Sequence, residues 1–202
     1  EVKVNLFPVP QIFVVAIAVQ ETIHSQRIYK INFIFRDIQL NDIIFYMSIS
    51  VKVIEDYISE VARLAKSGIT TEHTFRGALA MLLDALAPNL KAINEPKRTE
   101  CGAPDYIVQD KTGLGVFYVE AKDLGDDDLS GKKRTGHKEQ FDRYKAALDT
   151  IIFTDYLDFH LYRHGEFVSS VKIADYDGAG KVSGISSAYD KLAELIKEAS
   201  SS

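Results

Sequence analysis

Three charged residues near the middle of the chain have the types and spacing needed for hydrolytic chemistry. Asp105 follows a proline, and Glu120 and Lys122 lie two residues apart at the end of an apolar run. Two neighbouring carboxylates repel unless a divalent cation or a shared proton lies between them, and Mg²⁺ takes oxygen ligands. A lysine beside them can orient a water molecule or stabilise charge developing on a phosphate. These residue types suggest metal-assisted hydrolysis of a phosphodiester bond.

The sequence around these residues predicts a β-hairpin. Apolar runs at residues 106–108 and 116–119 flank a turn signal, Asp-Lys-Thr-Gly. If the turn occupies residues 111–114, counting outward along both strands places Asp105 opposite Glu120. In the same register, the residue before the turn, Asp110, faces Gly115.

Alternation along the second strand assigns its side chains to two faces. Glu120 and Lys122 are predicted on one face, with Val119 and Ala121 on the other. The hairpin then ends in two carboxylates and one ammonium. The alternative is a surface hairpin with ordinary exposed charges, because so short a pattern arises often by chance.

Six short stretches, read in order, form a longer series of motifs. They are residues 71–76, 94–98, 102–105, 119–125, 139–144 and 154–156. Pro104-Asp105 followed by Glu120-Ala121-Lys122 resembles the PD-(D/E)xK nuclease superfamily. The whole series resembles the nuclease region at the amino end of fused restriction-modification enzymes, which continue into an adenine methyltransferase. The resemblance implies a restriction-endonuclease-like core and a DNA endonuclease of restriction type that depends on Mg²⁺ or Mn²⁺.

The resemblance also implies roles for individual residues. Asp105 and Glu120 would be metal ligands, with Glu72 as a candidate third carboxylate, and Lys122 would position the attacking water. Gln140, on the helix after the second strand, would border the active site. The residues alone give Glu72 a second explanation, because a carboxylate in the first turn of a helix interacts favourably with the helix dipole.

A basic segment follows the hairpin and is the candidate DNA contact. It contains Lys132, Lys133, Arg134 and Lys138 within seven residues. Lysine and arginine side chains bind phosphates and position DNA without reading its sequence. A solvated charged loop is the alternative.

Apolar periodicity predicts the elements that hold the site. Helices are expected in the 50s, 70s, 140s and 190s, starting at Ser50, at Thr70 or Thr71, near His137, and at Ser186 or Ser187. Strands at residues 90–93, 151–154 and 159–163 join the hairpin. The predicted fold is α/β, a central mixed β-sheet of about four or five strands flanked by helices.

Composition and apolar periodicity divide the chain into three parts. Residues 1–46 are an uncertain amino-terminal extension with short strands expected at 28–35 and 43–46, residues 47–175 are the nuclease domain, and residues 176–202 are a linker and a carboxy-terminal helix. The apolar run at 13–19 is too short to span a bilayer, so no membrane association is expected. The connection at residues 123–128 is expected to be mobile.

Composition sets the outer limits. The 202 residues, 46% of them hydrophobic, suit one globular domain with a substantial core. The single cysteine, Cys101, excludes an internal disulfide framework and makes the cytoplasm the expected compartment. A net charge of −5 argues against a non-specific nucleic-acid coat protein.

Several alternatives remain open at this stage. A non-catalytic DNA-binding or assembly module would keep the fold without the chemistry. A junction resolvase or repair nuclease would share the chemistry and differ in its DNA substrate. Because no methyltransferase motif follows, the chain is expected to be the nuclease part alone, with a methyltransferase or specificity domain as a partner outside it. A homodimer and the recognised DNA sequence are also left open.

Overall fold

The computed structural model describes residues 5–9, 12–16, 49–68, 72–97, 101–131 and 137–201. The chain divides into two compact units, Glu1–Phe45 and Tyr46–Ser202. In the first unit, β1 (Asn5–Val9) and β2 (Ile12–Ala16) form an antiparallel hairpin. The strands expected at 28–35 and 43–46 lie outside the described residues, and the domain boundaries expected from the sequence stay predictions.

The second unit is built on a six-stranded mixed sheet. Its strands are β3 (Lys91–Asn94), β4 (Tyr106–Gln109), β5 (Gly115–Ala121), β6 (Thr150–Thr154), β7 (Asp158–Arg163) and β8 (Glu166–Lys172). They lie side by side in chain order, and every neighbouring pair is antiparallel except β5 and β6, which run parallel. The predicted α/β fold with a central mixed sheet is confirmed.

The sequence missed the last strand of this sheet. β8 is an edge strand with one buried residue, Val171. A strand that buries so little carries no clear apolar alternation, and alternation is the signal that sequence reading depends on.

All four predicted helices are present. Residues 49–65 form α1, a 3₁₀ turn (Glu72–Phe75) leads into α2 (Arg76–Leu86), and the others are α3 (Lys138–Ala147) and α4 (Tyr189–Ala199). α1 already includes Ile49, so the expected start at Ser50, as a capping residue, is wrong, and Ser50 is buried inside the helix. Among the described residues, no helix is long and apolar enough to cross a membrane.

The helices cover the two faces of the sheet unequally. The main core contains apolar side chains of α1, α2 and α4 packed with Phe117, Val119 and Ala121 of β5. A smaller core on the other face joins α3 to β6 and β7, and it consists of Phe141, Tyr144, Ile151, Phe153 and Tyr162. The sheet therefore separates a large apolar layer from a smaller, aromatic one.

The segment after residue 175 is more ordered than the expected linker. β9 (Ala174–Tyr176) and β10 (Val182–Gly184) pair antiparallel, and Asp177 Oδ1 closes their turn by accepting from the amides of Ala179 and Lys181 at 2.8 and 3.0 Å. Three-residue strands are too short to show a period in sequence, which explains the missed hairpin.

Candidate active site

The hairpin β4–β5 carries the three charged residues in the register expected from the sequence. Tyr106 pairs with Val119, so the next residues outward along the strands are Asp105 and Glu120. The Asp105 carboxylate lies against the start of the next peptide, since its Oδ2 accepts from the Ala121 amide at 2.8 Å. The two acids are thus held side by side at the open end of the hairpin.

The register at the turn differs from the expected one. A β-bulge after Val108 makes Gln109, and not Asp110, the partner of Gly115. The bulge lets the side chain of Asp110 fold back over the turn and bind Thr112. Because the bulge lies toward the turn, it leaves the outer end of the hairpin unshifted.

The two faces of β5 have opposite characters, as alternation predicts. Val119 and Ala121 are fully buried in the main core. Glu120 and Lys122 point to the other face, where α3 packs, and both are buried. The Lys122 amide donates to the Thr154 carbonyl at 2.8 Å, which continues the β5–β6 pairing past the end of the strand.

Three polar side chains form a closed hydrogen-bonded triangle on this face. Lys122 Nζ donates to Glu120 Oε1 and to Gln140 Oε1, each at 2.7 Å. Gln140 Nε2 donates to the same Glu120 oxygen at 2.9 Å. Gln140, expected only from the resemblance to border the site, thus binds both the acid and the ammonium of β5.

The other oxygen of Glu120 is unpaired among the described residues. Oε2 is buried and has no hydrogen-bond partner there, and the residue is only 4% exposed. Burial raises the pKa of Glu120 above its usual value, Asp105 raises it further, and Lys122 opposes the rise. A buried carboxylate oxygen with open lone pairs beside a second acid suits an oxygen-seeking cation.

Asp105 is paired with a residue that the sequence reading did not assign to the site. Arg76 Nη2 forms a buried ion pair with Asp105 Oδ1, and Nη1 of the same guanidinium donates to Glu95 Oε1 at 2.8 Å. The Tyr106 hydroxyl donates to the Arg76 carbonyl at 2.7 Å, which fixes the backbone of Arg76. Each acid of the site therefore has a cation beside it.

A sequence signal for Arg76 exists in retrospect. Arg76 shares the buried stripe of α2 with Leu79, Leu83 and Leu86, at a spacing of three, seven and ten residues. A charged residue in an apolar stripe is rarely buried unless it is paired. Arg76 also closes the first stretch of the motif series, residues 71–76.

Glu95 belongs to the same network. It follows β3 with a backbone φ of 50°, an uncommon conformation for a residue other than glycine. Its amide donates to the Asp105 carbonyl at 2.8 Å, while its side chain is 68% exposed and reaches Arg76. The strained backbone is held by contacts to both Asp105 and Arg76.

The third expected carboxylate is only partly located. The backbone of Glu72 begins the 3₁₀ turn before α2, four residues ahead of Arg76, and its side chain lies outside the described residues. Among the side chains that are described, no group of three or more His, Cys, Asp or Glu is arranged to hold a metal ion. Asp105 and Glu120 are two carboxylates side by side, and the metal-binding roles predicted for Asp105, Glu120 and Glu72 stay predictions.

Tyr144 lies at the edge of the site from the α3 side. It is buried in the smaller core, and burial raises the pKa of its hydroxyl, with the charge of Glu120 adding to the rise. The side chains of Gln140 and Arg143 oppose the rise. Tyr144 and Gln140 lie one helical turn apart on α3, so they share a face of that helix.

The connection after Lys122 is anchored, contrary to the mobile segment expected from sequence. Asp155 Oδ2 accepts from the Gly125 amide at 3.2 Å, and Asp155 Oδ1 accepts from the amides of Leu157 and Asp158 at 2.9 and 2.6 Å. Asp128, in the same connection, is fully buried. The contact between Gly125 and Asp155 joins residues 30 positions apart, so no local pattern in the sequence reveals it.

The predicted DNA contacts are described only at Lys138. Lys132, Lys133 and Arg134 lie outside the described residues. Lys138 is exposed at the start of α3 and forms an ion pair with Asp142, one helical turn later. The structure does not test DNA contact at these positions, so it stays a prediction.

Comparison with known proteins gives a likeness in fold. No protein-family profile matches the sequence, and no curated protein matches it. Among solved structures, the chain is similar to a chain in a cryo-EM structure of a DrdV–DNA complex, with 22% sequence identity and a TM-score of 0.57. The match covers 73% of this chain and 97% of the other. At this identity the likeness supports the α/β fold.

Proposed function

We propose that this chain is a metal-dependent endonuclease of restriction type that hydrolyses phosphodiester bonds in double-stranded DNA. The observation that carries the proposal is the environment of Glu120. Its carboxylate is buried beside Asp105, one oxygen is held by Lys122 and Gln140, and the other has no partner among the described residues. The likeness in fold to a chain from a DNA complex adds support for DNA as the substrate.

A structural role explains this arrangement poorly. A buried charge destabilises a fold unless it is paired and hydrogen-bonded, and apolar residues of similar size often stabilise as well or better. Here two acids and two cations meet at the open end of the hairpin β4–β5, whose residues Val119 and Ala121 are buried in the main core. Such a group is more readily explained by chemistry than by packing.

Asp105 and Glu120 would hold Mg²⁺ or Mn²⁺, with Glu72 as the third ligand that the resemblance implies. When bound, the ion would neutralise charge developing on the phosphate and increase the acidity of a water molecule. In support, the hairpin register brings the two acids together, and a peptide amide fixes Asp105 Oδ2.

Lys122 would supply the positive charge that acts directly on the reacting groups. Its ammonium is held on the site face by Glu120 and Gln140, so little rearrangement is needed during the reaction. From that position it would orient the attacking water and offset negative charge on the phosphate. Gln140 would keep the ammonium and the carboxylate in their relative orientation.

The test is cleavage of supercoiled plasmid DNA in Mg²⁺ or Mn²⁺ by the parent and by Glu120→Gln. The matched control is Asp110→Asn, which changes an acid at the other end of the same hairpin. We expect the parent and the control to nick or linearise the plasmid, and Glu120→Gln to lose most of that activity. Equal cleavage by all three proteins would place the active site elsewhere.

Two further readouts separate the alternatives. A branched DNA junction in the same assay tests for a resolvase, which would cleave it in preference to plasmid. A parent that binds duplex DNA but cleaves neither substrate in Mg²⁺ or Mn²⁺ would favour the non-catalytic binding module.

A further inference from the structure

We propose that Arg76 is a positioning residue that acts through Asp105 and sets how tightly the site binds a divalent cation. The inference rests on the proposed metal site. Arg76 is neither one of the expected ligands nor one of the expected catalytic groups. Its effect would come from the charge that it places against Asp105.

The geometry of the pair supports this role. The guanidinium and the carboxylate are both almost completely buried, with side chains 9% and 11% exposed. Interaction between charges is stronger in such surroundings than in water. Asp105 is also fixed from the other side by the Ala121 amide, so the carboxylate cannot turn away from Arg76 without losing that bond.

Each of the two acids already has a cation beside it. Asp105 is paired with Arg76, and Glu120 is paired with Lys122. A divalent cation at the two acids would therefore be repelled by two positive groups. Lys122 has a proposed part in the reaction, whereas Arg76 lies on α2 behind Asp105, where its charge can lower cation affinity.

Glu95 gives Arg76 a second partner of a different kind. Its side chain is 68% exposed and binds Nη1, while Asp105 binds Nη2. The guanidinium is thus shared between a buried acid of the site and an acid at the surface. Negative charge at Glu95 offsets part of the positive charge that Asp105 experiences, so Glu95 favours cation binding.

A purely structural ion pair predicts a different outcome. Loss of Arg76 would then lower stability and leave cation affinity unchanged or weaker, because the site would be distorted. A charge-balancing role predicts lower stability in the absence of metal together with tighter cation binding. The two roles are therefore distinguished by the direction of the change in affinity.

The experiment is titration of the full chain with Mn²⁺ alone, without DNA, by calorimetry and by the melting temperature. We expect Arg76→Gln to bind Mn²⁺ about tenfold more tightly than the parent, since a unit charge a few ångströms away acts at low effective dielectric. Arg76→Lys keeps the charge and should bind near the parental affinity. Binding of Mn²⁺ by folded Arg76→Gln at the parental affinity, or more weakly, would overturn the proposal.

The matched control is Arg163→Gln. Arg163 on β7 donates to the Glu198 carbonyl at 2.5 Å, outside the candidate site, so this variant also loses an arginine contact. It should bind Mn²⁺ at the parental affinity. A similar gain in affinity for this control would show that removal of any positive charge suffices, which would also overturn a specific role for Arg76.

Glu95→Gln keeps the test decisive if Arg76→Gln does not fold. The substitution is at an exposed side chain and should leave the fold intact. It should weaken Mn²⁺ binding by about two- to threefold, a small effect because solvent screens the charge. Unchanged affinity in this variant would count against the proposal. If no protein in the series binds Mn²⁺, including the parent, the proposed metal site itself fails, and the role of Arg76 fails with it.

Discussion

The hairpin β4–β5 has acidic residues at both ends, and Asp110 at the turn is held in the opposite way from Glu120 at the open end. At the turn, Asp110 Oδ1 accepts from the Thr112 amide and hydroxyl at 2.8 and 2.6 Å and from the Leu114 amide at 3.0 Å. At the open end, Glu120 is buried, and its Oε2 has no partner among the described residues. A carboxylate is therefore hydrogen-bonded to three donors at the turn, whereas the carboxylate of Glu120 keeps one oxygen without a hydrogen bond among the described residues.

The pKa directions follow from these surroundings. Donors at the turn, the Thr112 hydroxyl first, lower the pKa of Asp110 below its usual value. Burial, with Asp105 second, raises the pKa of Glu120. Asp110 therefore stabilises a turn, whereas burial of Glu120 lowers stability. A buried acid with a raised pKa is the pattern expected of a functional group.

The largest expected effect is on catalysis at the open end. Lys122→Ala should lower the cleavage rate by roughly a hundred- to a thousandfold, because one electrostatic contact in the transition state is worth about 3 to 4 kcal/mol. DNA affinity should change far less, since one phosphate contact among several is lost. Cleavage rate and dissociation constant are measured side by side, with Lys111→Ala at the turn as control. A parental rate for Lys122→Ala would contradict the role of this lysine.

The second effect concerns metal. Mn²⁺ at about a hundred times its dissociation constant should stabilise the parent by about 2.7 kcal/mol, through mass action on the folded state. Asp105→Asn should lose this gain, and Asp110→Asn should keep it. Melting temperatures with and without Mn²⁺ provide the measurement. The same gain in all three proteins would remove Asp105 from the metal site.

A third effect concerns how the stability of the metal-free protein depends on pH. Because the folded pKa of Glu120 lies above its usual value of 4.5, the folded protein binds more protons than the unfolded chain between those two pH values. This carboxyl therefore makes stability fall as pH rises through that window. Urea unfolding across the window should show a weaker fall for Glu120→Gln than for the parent. Identical pH profiles would mean that Glu120 has an ordinary pKa.

The smallest expected effect concerns Asp110 at the turn, whose contribution to stability changes with pH in the direction opposite to that of Glu120. The folded pKa of Asp110 lies below its usual value of 3.8, so its contribution is present above 3.8 and is lost as pH falls through the folded pKa. Asp110→Asn should be slightly less stable than the parent at neutral pH, and the difference should disappear in acid. A difference that grows in acid would reverse the comparison between the two ends.

Much of the candidate site was predictable from local patterns. The period of two in β5 placed Glu120 and Lys122 together on the face opposite Val119, and the hairpin register placed Asp105 beside Glu120. The helical period likewise predicted α3. These features depend on residues close in sequence, where backbone geometry leaves few choices.

Other features depended on signals too weak to read. The bulge after Val108 changed the partner of Gly115, and β8, β9 and β10 were missed as edge or very short strands. Each involves a shift of one residue or a run of few buried side chains. Such changes alter the apolar pattern too little to be detected.

By itself, the sequence determined which residues could do chemistry and which faces of their own strands and helices they occupy. Only the tertiary structure decided their partners. Arg76 binds Asp105 across 29 positions of sequence, and Lys122 binds Gln140 across 18. These contacts, and the burial that raises the pKa of Glu120, arise from packing α2 and α3 against the hairpin. No local period in the sequence encodes such contacts, because they depend on where separate elements meet in space.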